Sequence, residues 1–146
     1  MFKVLLILLN IVFLYSFTLK DANNFYKDKD YKKAYEIYKQ LAKKGNLTAA
    51  NNLAFMYYYG IGTQLDQKKA VNILEHLLKK NPNNPNIMYN LAVMYYKGYF
   101  DNNTLSIIVK RKDAKKLFKK SMELGNKNAE YMYNKLFQDI NATKKK

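Results

Sequence analysis

The segment Asn52-Leu53-Ala54-Phe55-Met56-Tyr57-Tyr58-Tyr59-Gly60 returns 38 residues later as Asn90-Leu91-Ala92-Val93-Met94-Tyr95-Tyr96-Lys97-Gly98, with seven of nine positions identical. A repeating unit of roughly 30–40 residues marks a solenoid, whose modules stack because none buries its apolar side alone. The product of such stacking is an extended surface, and its usual work is to hold another molecule.

Around the repeat the apolar residues keep a helical period. Ala50, Leu53, Ala54 and Tyr57 stand at i, i+3, i+4 and i+7, and Met88, Leu91, Ala92 and Tyr95 renew the stripe. Each of these first helices closes on a glycine, Gly60 or Gly98, expected to take the left-handed turn that ends a helix. A second helix follows, with Ala70, Val71, Ile73, Leu74, Leu77 and Leu78 apolar, Asp66 placed as its N-cap and Pro82 beyond its end. Equivalent second helices open near Tyr31 and Lys112. Their alanines Ala34, Ala70 and Ala114 are spaced by 36 and then 44 residues, so the third copy carries an extra stretch.

The pattern predicts an all-α fold, an α/α superhelix (solenoid) of stacked antiparallel helix pairs spanning 19–143. Its pairs cover about 19–45, 46–81 and 84–125, its final helix 126–141 (stripe Met132, Tyr133, Leu136 and Ile140), and a basic tail 144–146. Within the third pair the run Leu105-Ser106-Ile107-Ile108-Val109 is rich in β-branched residues, so 99–111 is read either as a short extended piece or as an extra helical turn.

Residues 1–18 do not share this pattern. Lys3 is followed by an almost wholly apolar run from Val4 to Leu19, which reads as an N-terminal signal helix of an exported, periplasmic or secreted protein. If uncleaved it would be a short membrane anchor, although sixteen helical residues reach only about 24 Å across a hydrocarbon layer of about 30 Å. With no cysteine in the chain, disulfides and lipid attachment at a cysteine are both excluded.

The run Ala50-x-x-Leu53-Ala54-x-Met56-Tyr57-x-x-Gly60-x-Gly62, followed by Asp66-x-x-Lys69-Ala70, resembles a Sel1-like repeat. That family is a branch of the tetratricopeptide superfamily with a longer, glycine-containing turn between its helices. The first pair lacks this turn and is closer to an ordinary tetratricopeptide unit, with Asp28-Lys29-Asp30-Tyr31 as a tight turn. The third departs differently, with Gly98-Tyr99-Phe100 in place of Gly-x-Gly. What the resemblance implies is a concave groove lined by first helices, holding a protein or peptide partner as a monomeric scaffold. Transferred residue by residue, it implies groove positions at Asn51, Phe55, Tyr58 and Tyr59, and at Tyr89, Val93, Tyr96 and Lys97. For Tyr58 and Tyr96, packing between helices is an equal alternative; Tyr57 and Tyr95 fall on the core face.

Catalytic chemistry finds little to work with. His76, the only histidine, follows Glu75 on a second helix and is expected to be an exposed polar position. One imidazole and no thiol do not make a transition-metal site, and no cofactor or metal is expected. Some Sel1-like envelope proteins are labelled β-lactamases, yet no serine here has a lysine three residues later, and Ser106 and Lys110 are four apart. The expectation is a protein that is not an enzyme.

The formal charge of +15 raises a rival reading, lysine-driven attachment to anionic envelope polymers or a membrane surface. Of 26 basic residues only Arg111 is arginine, so no specific nucleic-acid site is expected. Asn-x-Ser/Thr sequons occur at Asn46, Asn102 and Asn141, the last with Asp139 two places before it; chance occurrence is the preferred reading.

Overall fold

The structure, a computed structural model, describes residues 17–138. Residues 1–16 of the expected signal segment, the end of the expected final helix, Asn141 and the basic tail lie outside the described residues.

Two helices form the first pair, α1 (Leu19–Lys27) and α2 (Tyr31–Lys43). The second pair is α3 (Leu47–Tyr59) and α4 (Gln67–Lys80), and the third is α5 (Pro85–Lys97) and α6 (Arg111–Glu123), followed by α7 (Lys127–Tyr133). Packing runs mainly between consecutive helices, and the first helices α3 and α5 also touch each other. This is a stack of helix pairs, the solenoid that the period predicts.

The helix starts are set by side chains that accept the otherwise orphaned N–H groups of the first turn. Asn46, Asn84 and Asn126 cap the first helices α3, α5 and α7, whereas Asp30 and Asp66 cap the second helices α2 and α4. Thr18 and Asp21 make a reciprocal capping box on α1. The regularity has a packing counterpart: Ala22, Ala34, Ala54, Ala70, Ala92, Ala114 and Ala129 are all fully buried. A methyl at each crossing lets neighbouring backbones approach closely, while Ile37, Met56, Leu74, Ile87, Met88 and Phe118 fill the space between.

The 99–111 stretch proves extended. Strands β1 (Tyr99–Asp101) and β2 (Ser106–Ile108) pair antiparallel, Phe100 opposite Ile107, as a hairpin set into the all-α frame. The turn expected at Gly98 is thereby corrected. Gly60 is left-handed, but Gly98 has φ 89° and ψ 161°, a conformation open to glycine because it has no Cβ, and through it α5 runs straight into β1. A Cβ there would also lie 3.0 Å from the Val109 side chain.

A shared rule joins the modules. The turn of each later pair leans on the N-terminus of the second helix before it. In the second pair this is a backbone approach: a Cβ on Gly62 (φ +69°) would fall 2.2 Å from the carbonyl oxygen of Tyr31. In the third pair, polar side chains do the work. Lys68 Nζ lies 2.8 Å from Asp101 Oδ2, and Gln67 Oε1 accepts the Phe100 N–H at 2.8 Å.

The final helix is regular only to Tyr133, then widens into a π-helical turn over Asn134–Gln138. The widened turn coincides with Phe137 packing beside Tyr96 and Phe118, at ring-centroid distances of 5.9 and 6.3 Å.

Candidate functional site

The first helices line up so that residues 38–40 apart meet across them, forming polar rungs. Asn90 Nδ2 donates to Asn51 Oδ1 at 3.0 Å, Lys97 Nζ donates to the Tyr59 hydroxyl at 3.2 Å, and Asn126 Nδ2 donates to Asn86 Oδ1 at 3.0 Å. Asn51, Phe55 and Tyr59 stand at i, i+4 and i+8, so one stripe of α3 carries an amide and two rings. Phe55 and Tyr59 are exposed, with ring centroids 4.6 Å apart.

Beside that stripe lies a hollow of about 420 Å³, walled by α1, α2 and α3. Asn23, Tyr26 and Lys27 contribute from α1, Tyr38 from α2, and Asn52, Phe55 and Met56 from α3. The Tyr38 hydroxyl donates to Asn23 Oδ1 at 2.6 Å, which fixes that amide within the wall. Burial raises the Tyr38 and Tyr26 hydroxyls above their ordinary pKa, so both stay neutral donors at physiological pH. The hollow therefore offers apolar ring surface, amides and the Lys27 ammonium, a set suited to gripping a peptide side chain and its backbone.

The residues expected in the groove separate. Asn51, Phe55, Tyr59 and Lys97 come together on the open face. Tyr58 does not: it is only 4% exposed, and its hydroxyl donates to the Gly98 carbonyl oxygen at 2.6 Å. Its ring is an inter-module clamp, because the hairpin brings a backbone acceptor over it. Tyr89 is half-buried, edge-on to Phe118 of α6 at 6.0 Å, and Val93 packs against the core. Tyr96 is half-buried between Phe137 and the Arg111 guanidinium, the latter 5.7 Å from its ring centre. Asn23, Tyr26, Lys27, Asn52 and Asn90 were not among the site residues expected from the sequence. The spacing 23, 26 and 27 was a usable signal, since it continues the same face onto α1.

Other candidates are placed as well. His76 is exposed on α4, and among the described residues no group of three or more histidine, aspartate or glutamate side chains gathers as a metal site. Asn46 uses its side chain as a helix cap, accepting the Ala49 N–H at 2.9 Å, while Asn102 is exposed in the hairpin turn. The core-face expectation for Tyr57 and Tyr95 is met: both are buried. The Tyr95 hydroxyl donates to Glu75, and burial together with that carboxylate raises its pKa.

With this geometry in hand, two solved structures superpose on the chain. A Sel1 repeat protein from Oxalobacter formigenes matches with a TM-score of 0.60 at 18% identity over 82% of this chain. The protein c5321, described as a protective antigen of uropathogenic Escherichia coli with an SLR fold, matches with a TM-score of 0.61 at 19% identity, also over 82%. This is the Sel1-like repeat fold. At these identities the likeness is one of fold alone, and the chain spans 49% of the first protein and 26% of the second. No family profile and no curated protein matches the chain. Within the Sel1-like fold, the hairpin occupies the place of the helix-to-helix turn in the third pair.

Proposed function

We propose that the protein is a non-catalytic, exported scaffold that holds a peptide segment of a protein partner along its first-helix face. The fold supports an interaction role in general, and one observation carries the specific reading. The open stripe of Asn51, Phe55 and Tyr59 adjoins a hollow lined by rings, amides and the Lys27 ammonium. A side chain of the partner enters between Tyr26 and Phe55, and its backbone runs past Asn51 and Asn90 toward Tyr59. Lys27 and Lys97 stand at the two ends of this path, which favours a segment with acidic residues flanking an apolar one. Rungs between helices hold the path in place beforehand, so little ordering is required of the receptor. The export reading rests on the apolar run before α1.

The experiment is a screen of displayed peptides against the wild type and a Phe55→Ala/Lys27→Ala variant. Acidic peptides with an apolar centre are expected to bind the wild type and be lost by the variant, with thermal unfolding unchanged. Capture by the variant at wild-type strength removes the groove assignment.

A further inference from the structure

The hairpin has two unlike faces. Toward the body it turns Tyr99 and Asp101, both buried, and the half-buried Ile108; Tyr99 stacks on Tyr95 at 6.5 Å. The register sets Phe100 beside Ile107 on the other face; Val109 lies with Ile107 against Gly98, and Leu105 projects from the hairpin turn just before β2. All four are exposed, Leu105 at 77% and Ile107 at 69%. Leu65, 62% exposed, stands two residues before the Gln67 that holds β1.

This face carries a conformational cost. Leu105 has φ 51°, a left-handed conformation that glycine or asparagine adopts with less strain, yet a large apolar side chain stands there in solvent. The hairpin is also anchored to the body: Gln67 and Lys68 hold β1, Tyr58 holds the Gly98 that precedes it, and β2 pairs with β1. A preformed apolar surface on a projecting element calls for something to cover it.

Charge decides what covers it. The segment 109–116 that leaves the hairpin carries five basic side chains (Lys110, Arg111, Lys112, Lys115 and Lys116) against Asp113, with Lys110 3.5 Å from Glu75, and Asp101 is neutralised by Lys68. A second copy with the same excess and a net +15 would be repelled. Lysine, a flexible point charge, suits a diffuse anionic layer better than a shaped carboxylate or phosphate pocket. We infer that the outer face of the hairpin docks onto an anionic lipid surface, with Phe100, Leu105, Ile107 and Val109 entering the headgroup region and the surrounding lysines meeting the lipid phosphates. This contact uses the turn edge of the solenoid, separate from the groove.

The full chain lacks tryptophan, so Leu105→Trp supplies a single reporter on the face itself. Flotation is compared on vesicles of phosphatidylcholine alone and of an equimolar mixture with phosphatidylglycerol. The expected result is binding to the anionic vesicles, a blue shift of the Trp emission on them, and binding weakened at least about 10-fold in Leu105→Asn/Ile107→Asn, whose melting temperature does not fall. Equal binding by the double variant, or an unshifted Trp, would show that the lysines act without the hairpin and overturns the proposal. So does absence of binding, and so does a concentration-dependent dimer by sedimentation that the double variant abolishes, which would make the face a protein interface.

Discussion

The Tyr58 hydroxyl sits 2.6 Å from the carbonyl oxygen of Gly98, the residue at which α5 gives way to the hairpin. One buried hydrogen bond thus ties the second pair to the third across 40 residues. Removing the donor leaves that carbonyl unsatisfied in the interior. Tyr58→Phe is expected to cost about 1–2 kcal/mol in urea unfolding while peptide capture in the groove is unaffected. A loss of capture with unchanged stability would return Tyr58 to the binding face.

Gly62 and Gly45 allow a controlled comparison of backbone against crowding. Both have positive φ, but nothing lies within 4 Å of a Cβ on Gly45, whereas one on Gly62 meets the Tyr31 carbonyl at 2.2 Å. Gly45→Ala is expected to cost about 1 kcal/mol from the left-handed strain alone. Gly62→Ala adds overpacking and should cost roughly 2–4 kcal/mol, measured by the midpoint of chemical denaturation. Equal penalties would mean that the turn yields without loss.

The Asp101–Lys68 pair makes a pH-dependent joint. Hydrogen bonding from Lys68, then from the Asn103 backbone, holds the Asp101 carboxyl below its ordinary range, and Asp101 in turn raises the Lys68 ammonium. An acid with a depressed folded pKa stabilises above its unfolded value and loses that contribution as pH falls through the folded one. For Lys68, whose folded value is raised, the contribution is present below the unfolded value and fades as pH rises through the folded one. The stability gap between wild type and Asp101→Asn should therefore be level from about pH 4 to about pH 10 and narrow on the acid side. Thermal melts across that range check it, and a gap that persists in strong acid would assign the effect to packing.

Much of the architecture was legible because its causes are local. The repeated stripe at Leu53-Ala54 and Leu91-Ala92 shows the helix face, and Asp66 stands where a cap must stand. The site was harder to read. Phe55 and Tyr58 are both aromatic and three residues apart, and what separates them is an acceptor supplied by Gly98, visible only once the hairpin is formed. The β-branched run at 105–109 signalled extension as one of two options, but its partner strand Tyr99-Phe100-Asp101 is held by Gln67 and Lys68 from another module. Asn90 went unnoticed for a similar reason: an amide within a helix earns its meaning from the Asn51 it meets.

The backward lean of each turn has a consequence for how the chain is made. As synthesis proceeds from the N-terminus, Gly62 reaches a finished Tyr31, and Asp101 reaches a finished Lys68. Tyr58, however, has its buried acceptor only when Gly98 has followed, so each module is completed by the one made after it.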